Sequence, residues 1–405
     1  MRDIRKMLKI EIKSPFWDEA FKKALEEPLV PVWLTEEYIC NIQNEYNLFS
    51  QNYELILTAV AEIVKVPELC ILAKILYYII DKNKPFSQAF TACELPKAPK
   101  NTENPLGYEC VGAFPIIAHL SESIKLLEQR GIEREIISKS LRTIDCMFTY
   151  SYEITGRKCF EKQFFKSYTE ALSTNNLVLG RLRFEIRKNY IIPARVFKSK
   201  SGEYCVLLCD TVIHKSGNIL GSFGNTDEDG SYDADFVESD SSYVGYSVDK
   251  ITRLAQNVRT TLSKDEWTCI YKPGDDVIKV HIPHGPGLKK ELCQDSYKKA
   301  RAIFQKHYSD INLNCFMLTC WMLSPELKNI LPETSNIICF QDDYLVFPAK
   351  SNACDAFQYV FGIITDDASS VNINDLSENN SLQKGAKQKL LEGKYIHQFN
   401  GFIEL

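Results

Sequence analysis

Two stretches of this chain gather the side chains that can move protons or hold anions. The first opens Asp210-Thr211-Val212-Ile213-His214-Lys215-Ser216-Gly217 and runs on to Asp227-Glu228-Asp229-Gly230-Ser231-Tyr232-Asp233-Ala234-Asp235-Phe236-Val237-Glu238. The second is Val277-Ile278-Lys279-Val280-His281-Ile282-Pro283-His284-Gly285-Pro286-Gly287-Leu288. A packed core does not ask for this mixture of imidazoles, carboxylates and glycines. Proton transfer does: an imidazole or carboxylate takes a proton from a reacting group, and a carboxylate beside an imidazole orients it and raises its pKa. His214, Asp235, Glu238 and His281 are the candidate bases. Taken singly, a histidine near a strand end is more often a satisfied structural residue. Asp227 and Asp229 around Gly230 suit an Asx-turn scaffold better than chemistry. The same aspartates alternate as calcium ligands would, but the glycine comes two places early for the twelve-residue loop. No metal is expected.

These residues need strands to hold them. Residues 277–282 read as a strand entered from the turn Gly274-Asp275-Asp276. Tyr297, Ala300, Phe304 and Tyr308 mark a helix after it, and residues 313–323 form a long apolar run read as a buried strand. A right-handed crossover makes those two strands parallel neighbours. Further upstream, Leu182-Arg183-Phe184-Glu185-Ile186-Arg187 alternates apolar and charged side chains, as a half-buried strand does. Its Arg181, Arg183 and Glu185 read by default as a solvated or inter-domain charge pairing. Residues 336–340 and 344–347 read as a hairpin around Asp342-Asp343. Residues 382–391 read as a helix and 395–405 as a closing strand. Before residue 170 the period is helical: Leu55, Ile56, Val60, Ile63 and Val64 share a face, and Leu69, Leu72, Leu76 and Ile80 continue it behind Pro67. Ile117, Leu120, Ile124 and Leu127 recur at three and four until Gly131. The expected architecture is α+β, with a helical domain over residues 1–172 and a mixed α/β domain over 173–405.

A length of 405 residues suits two or three domains, and 45% apolar with 25% charged residues is ordinary globular composition. A net charge of −5 argues against a nucleic-acid surface, which needs a basic stripe. The 14 cysteines are scattered, with no Cys-x-x-Cys pair, so zinc-finger spacing is absent. They read as small buried hydrophobes in a reduced, cytoplasmic protein. No apolar run reaches membrane-spanning length, and no membrane partner is expected.

Several segments resemble a bacterial family of acyltransferases that joins a helical N-terminal domain to a C-terminal domain like the GNAT N-acetyltransferases. They are Leu179-Gly180-Arg181-Leu182-Arg183-Phe184-Glu185, His214-Lys215-Ser216-Gly217, Asp233-Ala234-Asp235-Phe236-Val237-Glu238, His281-Ile282-Pro283, Cys320-Trp321-Met322-Leu323-Ser324-Pro325-Glu326-Leu327 and Leu391-Glu392-Gly393. The resemblance implies two adjacent parallel strands that splay apart and receive the pantetheine arm of acetyl-CoA or a longer acyl-CoA. It places the pyrophosphate on amides at the N-terminus of the following helix. Here the splayed pair is 277–282 with 313–323. The implied cofactor residues are Ile282, His284, Gly285, Gly287, Leu288 and Lys289. The loop departs from the acetyltransferase pattern: Pro286 removes an N–H donor, and the leading Arg or Gln is missing.

Cys320, on the second splayed strand, is a further candidate as an acyl acceptor, against the plainer reading of a buried thiol. The tyrosine that protonates the thiolate in many acetyltransferases has no counterpart in residues 325–331. Trp321 reads as core. The expected activity is direct acyl transfer from acyl-CoA to an amine, on a small molecule or a peptide. The alternative is a non-catalytic protein of the same fold that binds a small ligand or a partner.

Overall fold

The computed structural model describes residues 4–10, 15–80, 95–160, 172, 174–283 and 285–405. The chain divides into two compact units, Met1–Leu179 and Gly180–Leu405. The first is helical. It comprises α1 (Ile4–Leu8), α2 (Trp17–Glu26), α3 (Glu36–Tyr46), α4 (Tyr53–Ile63), α5 (Pro67–Ile79), α6 (Pro105–Cys110), α7 (Phe114–Gln129), α8 (Arg134–Leu141) and α9 (Thr143–Thr155), and ends with strand β1 (Asn176–Leu179). Local chemistry sets the ends. The Thr35 hydroxyl accepts from the Tyr38 N–H at 3.3 Å at the start of α3, and Asn47 closes it in the left-handed region. Pro67 occupies the first turn of α5, where its missing N–H costs nothing. Leu69, Leu72 and Leu76 of α5 are fully buried, as are Ile117, Leu120 and Leu127 of α7. The stretch Pro105–Gln129 is long and apolar enough to cross a bilayer by length and composition, which the sequence pattern did not suggest. Yet 72% of its most apolar window is buried inside the protein, as in a core helix.

The second unit is mixed. Its strands are β2 (Leu182–Arg187), β3 (Ala194–Ser199), β4 (Tyr204–Leu208), β5 (Thr211–Ile213), β6 (Tyr232–Ala234), β7 (Val237–Glu238), β8 (Ser242–Val248), β9 (Ala255–Ser263), β10 (Trp267–Tyr271), β11 (Val277–His281), β12 (Cys315–Cys320), β13 (Leu345–Pro348) and β14 (Phe399–Glu404). Its helices are α10 (Lys290–His307), α11 (Asn336–Gln341), α12 (Cys354–Phe361) and α13 (Ser381–Leu391). One sheet runs β2-β11-β12-β14-β13; the second runs β10-β3-β4-β8-β7, with β9 on β8. As the crossover rule requires, β11 and β12 are parallel, joined through α10.

Alternation gives the first sheet two different faces. Phe184 and Phe316 meet Tyr297 of α10 at ring distances of 5.9 and 5.4 Å. On the other face Val277, Cys315, Met317 and Phe402 pack with Ala194, Val196, Val206 and Leu208 of the second sheet. Toward the C-terminal ends of β11 and β12 that face turns polar, with Glu185, Lys279, His281, Thr319 and Asn400.

Two sequence expectations differ from the structure. Residues 336–341 form α11, not a hairpin arm, because the Ser335 hydroxyl caps the turn by accepting from the Ile337 N–H at 3.3 Å. A short apolar run does not distinguish strand from helix by period. Strands β8 to β10 were not anticipated: β9 is largely exposed and polar, so it shows no apolar alternation.

Candidate active site

Strands β11 and β12 pair only through Ile278 with Phe316 and Lys279 with Met317. On their outer edges they are fully engaged. Five residues of β11 pair with β2, and all six of β12 pair with β14. Beyond Lys279 and Met317 the strands part. Val280 and His281 stand on one lip of the gap; Leu318, Thr319 and Cys320 stand on the other. Facing backbone groups on those lips are not matched to each other, and such groups seek another partner.

His281 sits at this open end. Its Nε2 lies 2.8 Å from Oε2 of Glu185, one diagonal step across the β2–β11 ladder. Glu185 is 5% exposed, and its Oε1 is held 2.9 Å from Nε of Arg187. Burial alone would raise the Glu185 pKa; the His281 hydrogen bond, Arg187 and Lys279 outweigh it and hold the carboxyl below its usual range. Burial pushes the His281 imidazole below its ordinary value, and Arg183 adds to this, against the pull of Glu185. At neutral pH the pair is therefore carboxylate and neutral imidazole. The tautomer follows from the hydrogen bond: Nε2 carries the proton and donates it to Glu185, leaving Nδ1 as a lone pair. A neutral imidazole oriented by a buried carboxylate is the arrangement a general base needs.

The loop beyond β11 leads into α10. Ile282 is half-buried, Gly285, Gly287 and Lys289 are exposed, and Leu288 is buried. His284 lies outside the described residues. Gly285 has φ +154°, on the margin of the region that favours glycine. Cys320 ends β12 at the gap, and burial pushes its thiol up to about 12, so it is protonated rather than a ready nucleophile. The Tyr297 and Tyr344 hydroxyls hydrogen-bond to each other, and burial holds both well above the ordinary phenol value. Trp321 is buried among Leu327, Ile338 and Ile396, as core.

The other candidates are engaged with partners of their own. His214 is buried in the turn after β5. Its Nδ1 accepts from the Ser216 N–H at 3.1 Å, and its Nε2 donates to Asp227 at 3.2 Å. The Ser216 hydroxyl donates to Asn225, whose amide donates to Nε2 of His397 at 3.1 Å. These bonds tie the 214–227 loop to the residues before β14. Asp227 also takes Lys215 at 3.1 Å, so the aspartate turn is occupied by its own neighbours. Asp235 is exposed and ion-paired with Arg259; Glu238 is exposed and ion-paired with Lys264 at 2.7 Å. Those bonds lower both carboxyls, which makes them weaker bases. Glu238 lines an open cavity of about 580 Å³ with Arg195, Lys272, Asp275, Asn314 and Glu404. Asp275 and Asn314 precede β11 and β12, so this cavity is at the opposite end of the strands from His281. Among the described residues no cluster of three His, Cys, Asp or Glu is set to hold a metal.

The sequence singled out His281 but not its partner. Glu185 was legible as part of an alternating charged face. Its burial, and the register that sets it beside His281, needed the sheet.

Residues 177–403 match the family of the GNAT-like C-terminal domain, and the chain belongs to that family. Among solved structures the chain is similar to an acyltransferase in complex with decanoyl-CoA and teicoplanin, at 16% identity and a TM-score of 0.62, covering 99% of this chain and 98% of that one. The same coverage and identity, with a TM-score of 0.61, hold for an acyltransferase mutant in complex with octanoyl-CoA and for an acyltransferase with CoA and 10C-teicoplanin. At that identity the likeness establishes the shared fold. No curated protein matches the chain.

Proposed function

We propose that this protein is an acyl-CoA-dependent N-acyltransferase. The acyl-pantetheine arm enters the gap between β11 and β12, and His281, oriented by Glu185, removes a proton from an amine acceptor. The amine nitrogen then attacks the thioester carbon. The new C–N bond forms as the C–S bond breaks, and the departing CoA thiolate takes up the proton held at Nδ1 of His281. The observation that carries this reading is the parting of β11 from β12 with the His281–Glu185 pair at its open end. Family membership supports it, and so do neighbours of the same fold solved with acyl-CoA. The acceptor is a small-molecule or peptide amine, and direct transfer is favoured over a Cys320 acyl-enzyme because that thiol stays protonated.

Thermal shift with acetyl-CoA, decanoyl-CoA and free CoA tests the cofactor, since a ligand bound only by the folded state raises the Tm. Stabilisation by acyl-CoA, followed by amine-dependent release of free thiol, is expected. If acyl-CoA stabilises the chain and no amine in a broad panel releases thiol, the non-catalytic binding alternative replaces the enzyme. If no CoA species stabilises it, the acyl-CoA reading falls.

A further inference from the structure

We propose that Arg181 is the positioning residue that shapes Pro283 and residues 285–289, ahead of α10, to receive the diphosphate of an acyl-CoA. The inference rests on the acyl-CoA reading above and goes beyond it by assigning a residue outside the loop. The loop lacks a leading basic residue of its own, and the side chain that serves it comes from the turn before β2. Nε of Arg181 donates to the Pro286 carbonyl at 2.5 Å, and Nη1 donates to the Pro283 carbonyl at 2.8 Å. One rigid guanidinium fork thus holds two carbonyls of the same loop.

The turn that carries Arg181 is itself fixed to α10. The Arg181 N–H donates to the Ser296 hydroxyl at 2.7 Å, and Ser296, fully buried, donates to the Leu292 carbonyl at 2.7 Å. Gly180 stands at φ +72°, and a Cβ there would lie 2.6 Å from the Ser296 oxygen, so only glycine fits the approach.

The consequence for the loop follows from peptide geometry. The peptide unit bearing the Pro286 carbonyl also bears the Gly287 N–H, and in a trans peptide the two point in opposite directions. With the carbonyl drawn to Arg181, the Gly287 N–H is turned away from it. Among the described residues the N–H groups of Gly287 and Leu288 donate to nothing, nor do those of Lys290 and Glu291 that open α10, while the Lys289 N–H between them donates to the Gly287 carbonyl at 2.9 Å. Carbonyl oxygens facing an incoming diphosphate would repel it; Arg181 takes two of them out of the way. Its positive charge remains beside the loop.

The test compares decanoyl-CoA with decanoyl-pantetheine, which has the same thioester arm and no diphosphate, by calorimetry on the full chain. Arg181→Gln is expected to weaken decanoyl-CoA by about tenfold or more and leave decanoyl-pantetheine unchanged. Arg181→Lys, which keeps the charge but not the fork, is expected to recover only part of the loss, and it carries the test if the glutamine variant does not fold. Wild-type affinity for decanoyl-CoA in both variants overturns the role of Arg181 and leaves the acyl-CoA reading standing. Equal losses for both ligands overturn it too, because they mark a general scaffold residue. A wild-type chain that binds neither ligand overturns the acyl-CoA reading itself.

Discussion

The two ends of the β11–β12 sheet treat their carboxylates in opposite ways. At the end where the strands begin, Glu238 is exposed and answered by Lys264. At the end where they finish, Glu185 is buried, with one oxygen given to Arg187 and the other to a histidine at an opened seam. In water a carboxylate–lysine contact is worth little and fixes little. Under burial the same carboxylate sets a tautomer, and an unanswered charge would be costly. The difference separates charges that make a surface from charges that make a site.

Removing the imidazole has the largest expected effect. His281→Ala is expected to lower kcat with an amine acceptor by roughly 10²–10⁴-fold, the ordinary span for a lost general base, with little change in acyl-CoA affinity. Thiol release under saturating acyl-CoA measures it; turnover within a few-fold of wild type would move the base elsewhere. Glu185→Gln comes next. The base must be neutral, and the folded His281 pKa lies below its ordinary value. Activity should therefore hold through neutral pH and fall only in acid. Glu185 pulls that pKa upward, so its loss should shift the acid limb of kcat/KM to lower pH while the plateau drops by a smaller factor than in His281→Ala. An acid limb that stays put would mean that Glu185 does not act on the group that titrates.

Another histidine, buried and with no carboxylate attached, provides a contrast. His397 accepts from Asn225 through Nε2, and its Nδ1 has no partner among the described residues. Burial lowers its pKa to about 4. Between the unfolded value, near 6.5, and that value the unfolded chain binds a proton that the folded chain does not, so stability falls as pH falls through this window. The loss is on the order of 3 kcal/mol. Urea midpoints from pH 7 to 4 should decline less steeply in His397→Gln than in the wild type; parallel declines would show that another group supplies the slope.

How much of this was legible in the sequence depends on whether the information was local. The helices of the first unit were legible because Leu69, Leu72 and Leu76 repeat at helical spacing behind a proline. The strand–helix–strand unit was legible because 277–282 and 313–323 are apolar runs flanking the Tyr297 stripe. The parting of β11 from β12 was reachable only through the family resemblance, since it depends on where the strands stop pairing. Glu185 stayed hidden because its neighbour is 96 positions away. The Asp227–Glu238 cluster is dense in charge, and its carboxylates are answered by a histidine, a lysine and an arginine 12 to 24 positions away: Asp227 by His214 and Lys215, Asp235 by Arg259. Density of charge in a loop reports turn chemistry as readily as a site.

The smallest expected effect is therefore at Glu238. It was a candidate base on composition, and its pairing with Lys264 argues for a surface role at the far end of the strands from His281. A base must reach the acceptor nitrogen, within hydrogen-bond distance or through one water. Five residues of strand separate the two ends, on the order of 17 Å at ordinary rise per residue, too far for one acceptor amine to meet both. Lowering its pKa also makes Glu238 a poorer proton acceptor than an ordinary carboxylate. Glu238→Gln should leave kcat, KM for acyl-CoA and the pH profile indistinguishable from the wild type. A selective fall in kcat, with affinity kept, would relocate the proton-transfer step to the Glu238 cavity and leave the His281–Glu185 pair a structural contact.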